Sequence, residues 1–458
     1  MFFYARLTRR APAAPLRIVP PRGYEVHTAV RSVRGHRLEI ALWDSRSRPR
    51  VSAAEIEKAE CSELVVSFDG GDALPFLRSS SIDTANAERP HRGYVVISIG
   101  NNGDVRAACD ELGLAALFVG RDSSDALHFS NDRWMIARCA RRAYDDVIKV
   151  AGGSAVNFSR SGALELSAID SRVAPPTCPP TPQLIRDELV NSVRLLTAGR
   201  RAAVFLSGGI DSSAVAAAAK LAGIDAVLVH GRWPKWSRAF ETELSCAVAR
   251  TTGMTLYQVN LGATPLIHSP LIQANLANHH WFGWMAEFQR TASAIADIGL
   301  FGWGGEWFGL DGGRSLRNLE VRQLLGSRKP TVLHAITRDK WLEALGLRRR
   351  LQHSPLTMAY TRMGGKSMAL ANPYIGPGVP SYCAYTTPAM LRIASAASGT
   401  GLSVQKLALR LAFADVLPTK VTAMRRIGTT EQELLRHAGD YRTATLRELQ
   451  EKLRCDPS

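Results

Sequence analysis

Short apolar or alternating runs, separated by glycine, proline and charged residues, dominate the first third of the chain. Leu38–Trp43, Leu64–Phe68, Gly93–Ile99, Ala115–Val119 and Ala126–Phe129 each read as a β-strand. Residues 1–172 are therefore predicted to form a sheet-rich domain. The pattern breaks at Val173–Gln183, VAPPTCPPTPQ, whose five prolines fit neither a helix interior nor a central strand and predict a linker. Thr181 followed by Pro182 has the form of an N-cap with proline at the first helical position, opening an amphipathic helix to about Leu196. Beyond it an apolar strand (Ala202–Leu206), a helix (Ser212–Ala222), a second apolar strand (Ala226–Val229) and a helix (Phe240–Thr252) alternate. That alternation predicts a parallel, doubly wound α/β sheet. From about Pro388 the pattern is nearly all helical, so residues 184–458 are predicted as one α/β domain with a helical C-terminal part.

Composition changes this picture little. The chain has 458 residues, 46% hydrophobic and 21% charged, which is ordinary globular usage and enough for two or three cored domains. No apolar run approaches the ~18 residues of a membrane span, and MFFYARLTRR lacks the regions of a signal peptide. A cytoplasmic protein is expected. Seven scattered cysteines without a C-x-x-C pair suggest neither a disulfide framework nor a zinc site. A net charge of +16 attracts anions such as ATP, nucleic acid or an acidic peptide. Arginines are spread over the whole chain, however, so genome composition also explains the excess, and the cluster Arg348–Arg350 reads first as a solvated helix face.

The chemistry concentrates where a strand ends in Ser207-Gly208-Gly209-Ile210-Asp211-Ser212-Ser213 and a helix begins at once. Two glycines permit a tight turn with N–H groups pointing inward, and the helix N-terminus adds partial positive charge. The result is a cradle for a diphosphate. No G-K-[ST] follows, so it is not a Walker A loop, and it is not a G-x-S-x-G elbow. Asp211 inside the cradle would repel a phosphate unless a cation intervened, which implies Mg²⁺ with Asp211 as an oxygen ligand.

S-G-G-x-D-S after a hydrophobic strand resembles the loop of the N-type ATP pyrophosphatases, and the chain resembles the asparagine synthetase and β-lactam synthetase group. Two more segments carry the resemblance. LFGWGGEWFG, Leu300–Gly309, is similar to the second loop of that family, which closes over pyrophosphate and magnesium; Glu306 would be the second metal ligand. KLALRLAFADVLPTKVTAMRRIG, Lys406–Gly428, is similar to its K-x-x-L-R-x-A-x-x-x-x-L-P stretch. By this resemblance Ser207, Gly208, Gly209, Asp211 and Ser212 would hold the ATP phosphates, and Leu206, His230, Gly302 and Gly304 would line the nucleotide. Gly113–Asp132 resembles a segment of the glutamine amidotransferase domain, which would make residues 1–172 a degenerate N-terminal-nucleophile-type sandwich. An unrelated β-rich domain is the alternative.

Departures from the family narrow the expectation. Glutamine-dependent asparagine synthetases need cysteine where this chain has Phe2, so no ammonia is expected from the first domain. Trp303 stands where the relatives carry a glutamate or a tyrosine, and its indole donates only, so it is no general base. GWGGE is most similar to the G-x-G-G-[DE] loop of lasso peptide macrolactam synthetases. Those enzymes adenylate an Asp or Glu side chain of a precursor peptide, and its N-terminal amine closes the ring; the resemblance would place the chain in antibiotic-type peptide biosynthesis. That resemblance implies ATP and Mg²⁺ as cofactors, with a leader-binding protein and a leader peptidase as partners. The family lysine after the L-P step is replaced by Arg426, with Arg425 and Lys420 as the other cations able to take its role at the transferring phosphate. An asparagine synthetase-like or β-lactam synthetase-like ligase of a small molecule, a tRNA-modifying enzyme and a non-catalytic scaffold remain open. His279 and His280 beside Trp281 and Trp284 read as packed aromatic core or as a substrate wall, and Glu241 and Glu243 as helix-opening carboxylates or a family acidic position.

Overall fold

The computed structural model describes residues 2–8, 25–33, 36–44, 63–67, 76–78, 94–100, 102–109, 117–141, 147–150, 154–159, 164–168, 180–232, 239–260, 285–305, 308, 379, 381–397, 402 and 406–423. In the first part the strands are β1 (Phe2–Thr8), β2 (Glu25–Val33), β3 (His36–Asp44), β4 (Glu63–Ser67), β5 (Phe76–Arg78), β6 (Tyr94–Ile99), β7 (Val105–Cys109), β8 (Leu117–Arg121), β9 (Leu127–Ser130), β10 (Ile148–Val150), β11 (Ser154–Phe158) and β12 (Leu164–Ala168). One short helix, α1 (Arg133–Cys139), interrupts them. All five predicted strands are present. The first residues, read above only for targeting signals, form β1 in the middle of a sheet.

These strands make two antiparallel sheets, ordered β10-β8-β9-β1-β3-β2 and β12-β11-β7-β6-β4-β5. Alternation supplies the reason they pack as a sandwich: Phe3, Ala5, Leu7, Leu38 and Ile40 of one sheet share a buried core with Val95, Ile97, Val105, Val156 and Phe158 of the other. On the opposite face of β1, Tyr4 and Arg6 belong to polar networks. Arg6 meets Glu39 at 2.5 Å across the β1–β3 pair. Tyr4 hydrogen-bonds Nδ1 of His128, whose Nε2 lies 3.0 Å from Asp122 Oδ2. A carboxylate only accepts, so Nε2 carries the proton and Nδ1 accepts from the Tyr4 hydroxyl.

The second part begins at Thr181, whose hydroxyl accepts from the Leu184 N–H and caps α2 (Pro182–Thr197), with proline in the first turn as expected. It continues with β13 (Ala202–Phe205), α3 (Ile210–Leu221), β14 (Ala226–Arg232), α4 (Ala239–Thr252), β15 (Leu256–Asn260), α5 (Met285–Ile295), β16 (Ile298–Phe301) and β17 (Ser381–Cys383). Helices α6 (Pro388–Ala397), α7 (Leu407–Ala412) and α8 (Thr419–Ala423) follow. The sheet runs β15-β14-β13-β16-β17 and every pair in it is parallel. This is the doubly wound arrangement predicted from the alternation. Both faces of its centre are buried: Ala202, Ala203 and Val204 are fully enclosed, and so is the run Ala214–Ala219 of α3, whose methyl groups let the helix lie close on the sheet. With the right-handed crossovers usual between parallel strands, this strand order puts α3 and α4 on one face and α5 on the other. No helix among the described residues is long and apolar enough to cross a membrane.

Burial lowers the affinity of His128 for a proton more than Asp122 restores it. Burial also pushes Asp122 up, but hydrogen bonds from Ser124, His128 and the Ala126 N–H outweigh that and leave it below its ordinary value. Both groups thus bind protons more weakly folded than unfolded, and stability must fall with pH, first below the ordinary histidine value of 6.5 and again below 3.8. In urea titrations across pH, replacing His128 with Gln should lower stability most at neutral pH, and the gap to the wild type should shrink as pH drops through the first window. A gap independent of pH would exclude the neutral relay.

Candidate functional site

The strand order reverses between β13 and β16, so the connections leaving their C-terminal ends diverge and leave a crevice, the usual ligand position of an open α/β sheet. The glycine-rich loop Ser207–Gly209 leaves β13 here, and Gly302–Gly305 leaves β16 beside it. The two loops touch through their glycines. A Cβ on Gly302 would fall 2.5 Å from the Ser212 nitrogen, and one on Gly305 would fall 2.7 Å from Asp211 Oδ1.

Within the first loop, Ser212 is the internal brace. Its Oγ accepts from the Ser207 N–H at 3.1 Å, lies 3.1 Å from Ser207 Oγ and donates to the Gly209 carbonyl at 3.2 Å. Gly208 has φ +77°, and a Cβ there would lie 2.8 Å from the Glu241 carbonyl oxygen and 2.9 Å from Leu244 Cβ of α4. The loop therefore presses against α4, and His230 on β14 ties the two together. His230 Nδ1 is 2.9 Å from the Leu206 carbonyl, which only accepts, so this nitrogen carries the proton. Its Nε2 then accepts from Thr242 Oγ1 at 3.1 Å, and Ser245 Oγ stands 3.1 Å from Nδ1. Burial holds His230 below its ordinary pKa against the opposing carbonyl contact, which keeps it neutral in this role.

Asp211 stands in the first turn of α3, where the helix dipole favours a carboxylate. Its main-chain oxygen accepts from the Tyr385 hydroxyl at 2.9 Å. Its Oδ2 is paired with the Lys406 ammonium, the two side chains being 25% and 10% exposed. Its Oδ1 is buried without a hydrogen-bond partner among the described residues. A buried carboxylate oxygen with no partner among the described residues, beside a glycine-rich turn at a helix N-terminus, fits a hard divalent cation carried by an anionic ligand. Asp211 would supply one oxygen to such an ion.

The structure thus gathers Leu206, Ser207, Gly208, Gly209, Asp211, Ser212, His230, Gly302, Trp303 and Gly304 around one crevice. Trp303 is half-buried and stacks on Phe301 at 4.8 Å, which stacks on Phe205 at 4.1 Å, so it continues an aromatic column at the strand ends. Lys420 is exposed on α8, which packs beside α3 and α4. Glu306, Arg425, Arg426, the segment His279–Trp284 and Arg348–Arg350 lie outside the described residues. Glu241 stands in the first turn of α4 and Glu243 is exposed.

Two residues of the site escaped the sequence reading. Tyr385 follows β17 in a stretch without any motif. Lys406 opens the K-x-x-L-R segment and was given no role, although its place at the head of that pattern was the available signal. The arginine of the segment, Arg410, holds the Val421 and Thr422 carbonyls at 3.3 and 2.6 Å and so fixes the end of α8, from which the chain runs on to Arg425 and Arg426.

The asparagine synthase family model matches residues 184–250, the stretch from α2 into α4 that contains the glycine-rich loop. Among solved structures the chain is similar to an NMN synthetase from Francisella tularensis, 15% identical, covering 41% of this chain and 93% of that one with a TM-score of 0.23. It is also similar to an NAD+ synthetase from Burkholderia pseudomallei, 16% identical, covering 59% of this chain and 91% of that one with a TM-score of 0.19. At such scores neither likeness adds to the description of the fold. No curated protein matches the chain.

The two adjacent loop glycines should respond differently to alanine. Gly208→Ala forces a left-handed backbone on a side chain that also meets backbone of α4, and should cost about 2 kcal/mol or more. Gly209 has φ −73° and open surroundings, the nearest atom to an added Cβ being Ser207 Oγ at 3.4 Å. Gly209→Ala should cost about 1 kcal/mol or less, as at any N-cap. Thermal melting of the ligand-free variants measures both, and equal losses would contradict the packing of the loop on α4.

Proposed function

We propose that the chain is an ATP-dependent, AMP-forming amide ligase that adenylates an Asp or Glu side chain of a peptide and closes a macrolactam with that peptide's own N-terminal amine. The observation that carries the first half of this reading is Asp211: a carboxylate with one unpartnered oxygen, inside a glycine loop and at a helix N-terminus, in the crevice of a parallel sheet. The family match over residues 184–250 supports an amide-forming use of ATP.

In this reading the β- and γ-phosphates lie on the N–H groups of Ser207–Ser212 and on the start of α3. Mg²⁺, held by Asp211 and Glu306, would neutralise phosphate charge. The peptide carboxylate attacks the α-phosphorus, pyrophosphate leaves, and an acyl-adenylate remains. The amine then attacks the acyl carbon, loses a proton, and AMP departs with the bonding electrons. In this reading a cation from the segment after Pro418, Arg426 or else Arg425 or Lys420, would meet the transferring phosphate and the oxyanion.

The peptide half of the reading rests on the second loop. Trp303 offers no base for the amine. A peptide α-amine, with an ordinary pKa of about 7.7–8.0, is already partly neutral near pH 7, whereas a lysine amine at about 10.4 is not. An intramolecular attack also gains roughly 7–11 kcal/mol over a bimolecular one, so folding the peptide supplies much of the catalysis. A precursor peptide is the proposed substrate, delivered by a leader-binding protein and trimmed by a leader peptidase.

Incubation with ATP and a synthetic core peptide should give pyrophosphate, AMP and a product lighter by one water. Asp211→Asn should abolish ATP–pyrophosphate exchange with melting behaviour unchanged in kind; exchange retained in that variant would remove Asp211 from the metal site. Exchange driven by a free amino acid and not by any peptide would replace the macrolactam reading with that of a small-molecule ligase.

A further inference from the structure

Asp211 is fixed from three sides. Its main chain is held by Tyr385, its side chain is walled by Gly305, and its Oδ2 is taken by Lys406. Lys406 itself is in a forced state. It is a non-glycine residue in the left-handed region, φ 60° and ψ 37°, at the N-cap of α7, where its side chain makes no capping hydrogen bond. Such backbone conformations persist only where the surroundings impose them. Here the contact it makes is the ion pair: an ammonium only 10% exposed, placed against a carboxylate whose other oxygen is orphaned. A lone buried carboxylate is costly, and the ammonium relieves that cost only in part, since it leaves Oδ1 unsatisfied.

One carboxylate cannot serve an ammonium and a divalent ion equally, because the two cations repel across a few ångströms of poorly screened space. From this geometry we infer that Lys406 is the counter-ion of Asp211 and excludes free divalent metal from it. The ion then enters only together with a polyphosphate, whose negative oxygens give the displaced ammonium a new partner. The long, flexible lysine side chain can make that exchange while Asp211 stays in place. The ligand class that opens the site to the ion is therefore a metal-chelated polyphosphate, and not the metal alone. This rests on the nucleotide reading above and adds an order of loading to it.

The test is a Mn²⁺ titration of the full chain, followed by the electron paramagnetic resonance of the free ion, first without nucleotide and then with ATP. Without nucleotide the wild type and Lys406→Arg should bind Mn²⁺ weakly. Lys406→Met and Lys406→Gln should bind it at least about tenfold more tightly. Adding Asp211→Asn to Lys406→Met should abolish the gain. With ATP present the order should reverse, the wild type binding the Mn²⁺–ATP complex more tightly than Lys406→Met. Thermal melting gives a second readout: Mg²⁺ alone should raise the melting temperature of Lys406→Met and leave that of the wild type unchanged. Equal Mn²⁺ affinity in the wild type and Lys406→Met, in chains that do bind Mn²⁺–ATP, overturns the inference. Failure of every chain, the wild type included, to bind Mn²⁺–ATP overturns the nucleotide reading beneath it.

Discussion

The site depends on one steric fact: two loops leaving adjacent parallel strands approach each other at backbone distance. Only residues without a Cβ can stand at Gly302 and Gly305, because the space a methyl group needs is filled by the Ser212 backbone and the Asp211 side chain. The approach follows from register. Val204 pairs with Leu300 and Phe205 with Phe301, so β13 and β16 end level and their loops emerge side by side. A third strand carries His230, which pins the end of β13 to α4. The rigid sheet thus transfers its precision to a loop with little apolar packing of its own.

With geometry so constrained, charge decides what the crevice can accept. The Asp211 side chain lies against Gly305, and no described residue offers Oδ1 a donor. The carboxylate must therefore be matched by cations, and the structure supplies one from a helix almost two hundred residues along the chain, an ion pair separated by 195 positions. An anion in the loop faces N–H groups, the α3 N-terminus and Lys406, with Arg410 near enough to feel Asp211. The surplus of +16 over the whole chain adds a long-range field of the same sign, which favours encounter with anionic ligands but does not select among them.

The parts of this arrangement that were legible in the sequence are those encoded locally. Strand β13 and helix α3 follow from an apolar run, two glycines and an alanine-rich stretch, and the start of α2 follows from Thr181 and Pro182. The parallel sheet follows from alternation. Pairings between distant residues left no local trace. Strand β17, three residues long, and Tyr385 after it have no periodicity to read, and Lys406 offers only its place at the head of the K-x-x-L-R segment. Strand β1 is a different case: Arg6 interrupts its apolar run, and its pairing with Glu39 opposite is visible only in the folded sheet.

The helical C-terminal part then acquires a specific physical task. Lys406 at the N-cap of α7 and Arg410 in its last turn have different partners, one the carboxylate in the crevice and the other the last carbonyls of α8. Arg186 of α2 adds a bidentate contact to Asp415, at 2.8 and 2.9 Å, just before Leu417 and Pro418. The segment between α7 and α8 is thereby tied to the helix that precedes β13 and, through Lys406, to the loop that follows it. Under the proposed loading, withdrawal of the Lys406 ammonium from Asp211 would act on the N-terminus of α7, and α7 holds the end of α8 through Arg410. The carboxylate in the crevice and the helix that carries Lys420 are in this way joined through α7, although no residue of one adjoins the other in sequence.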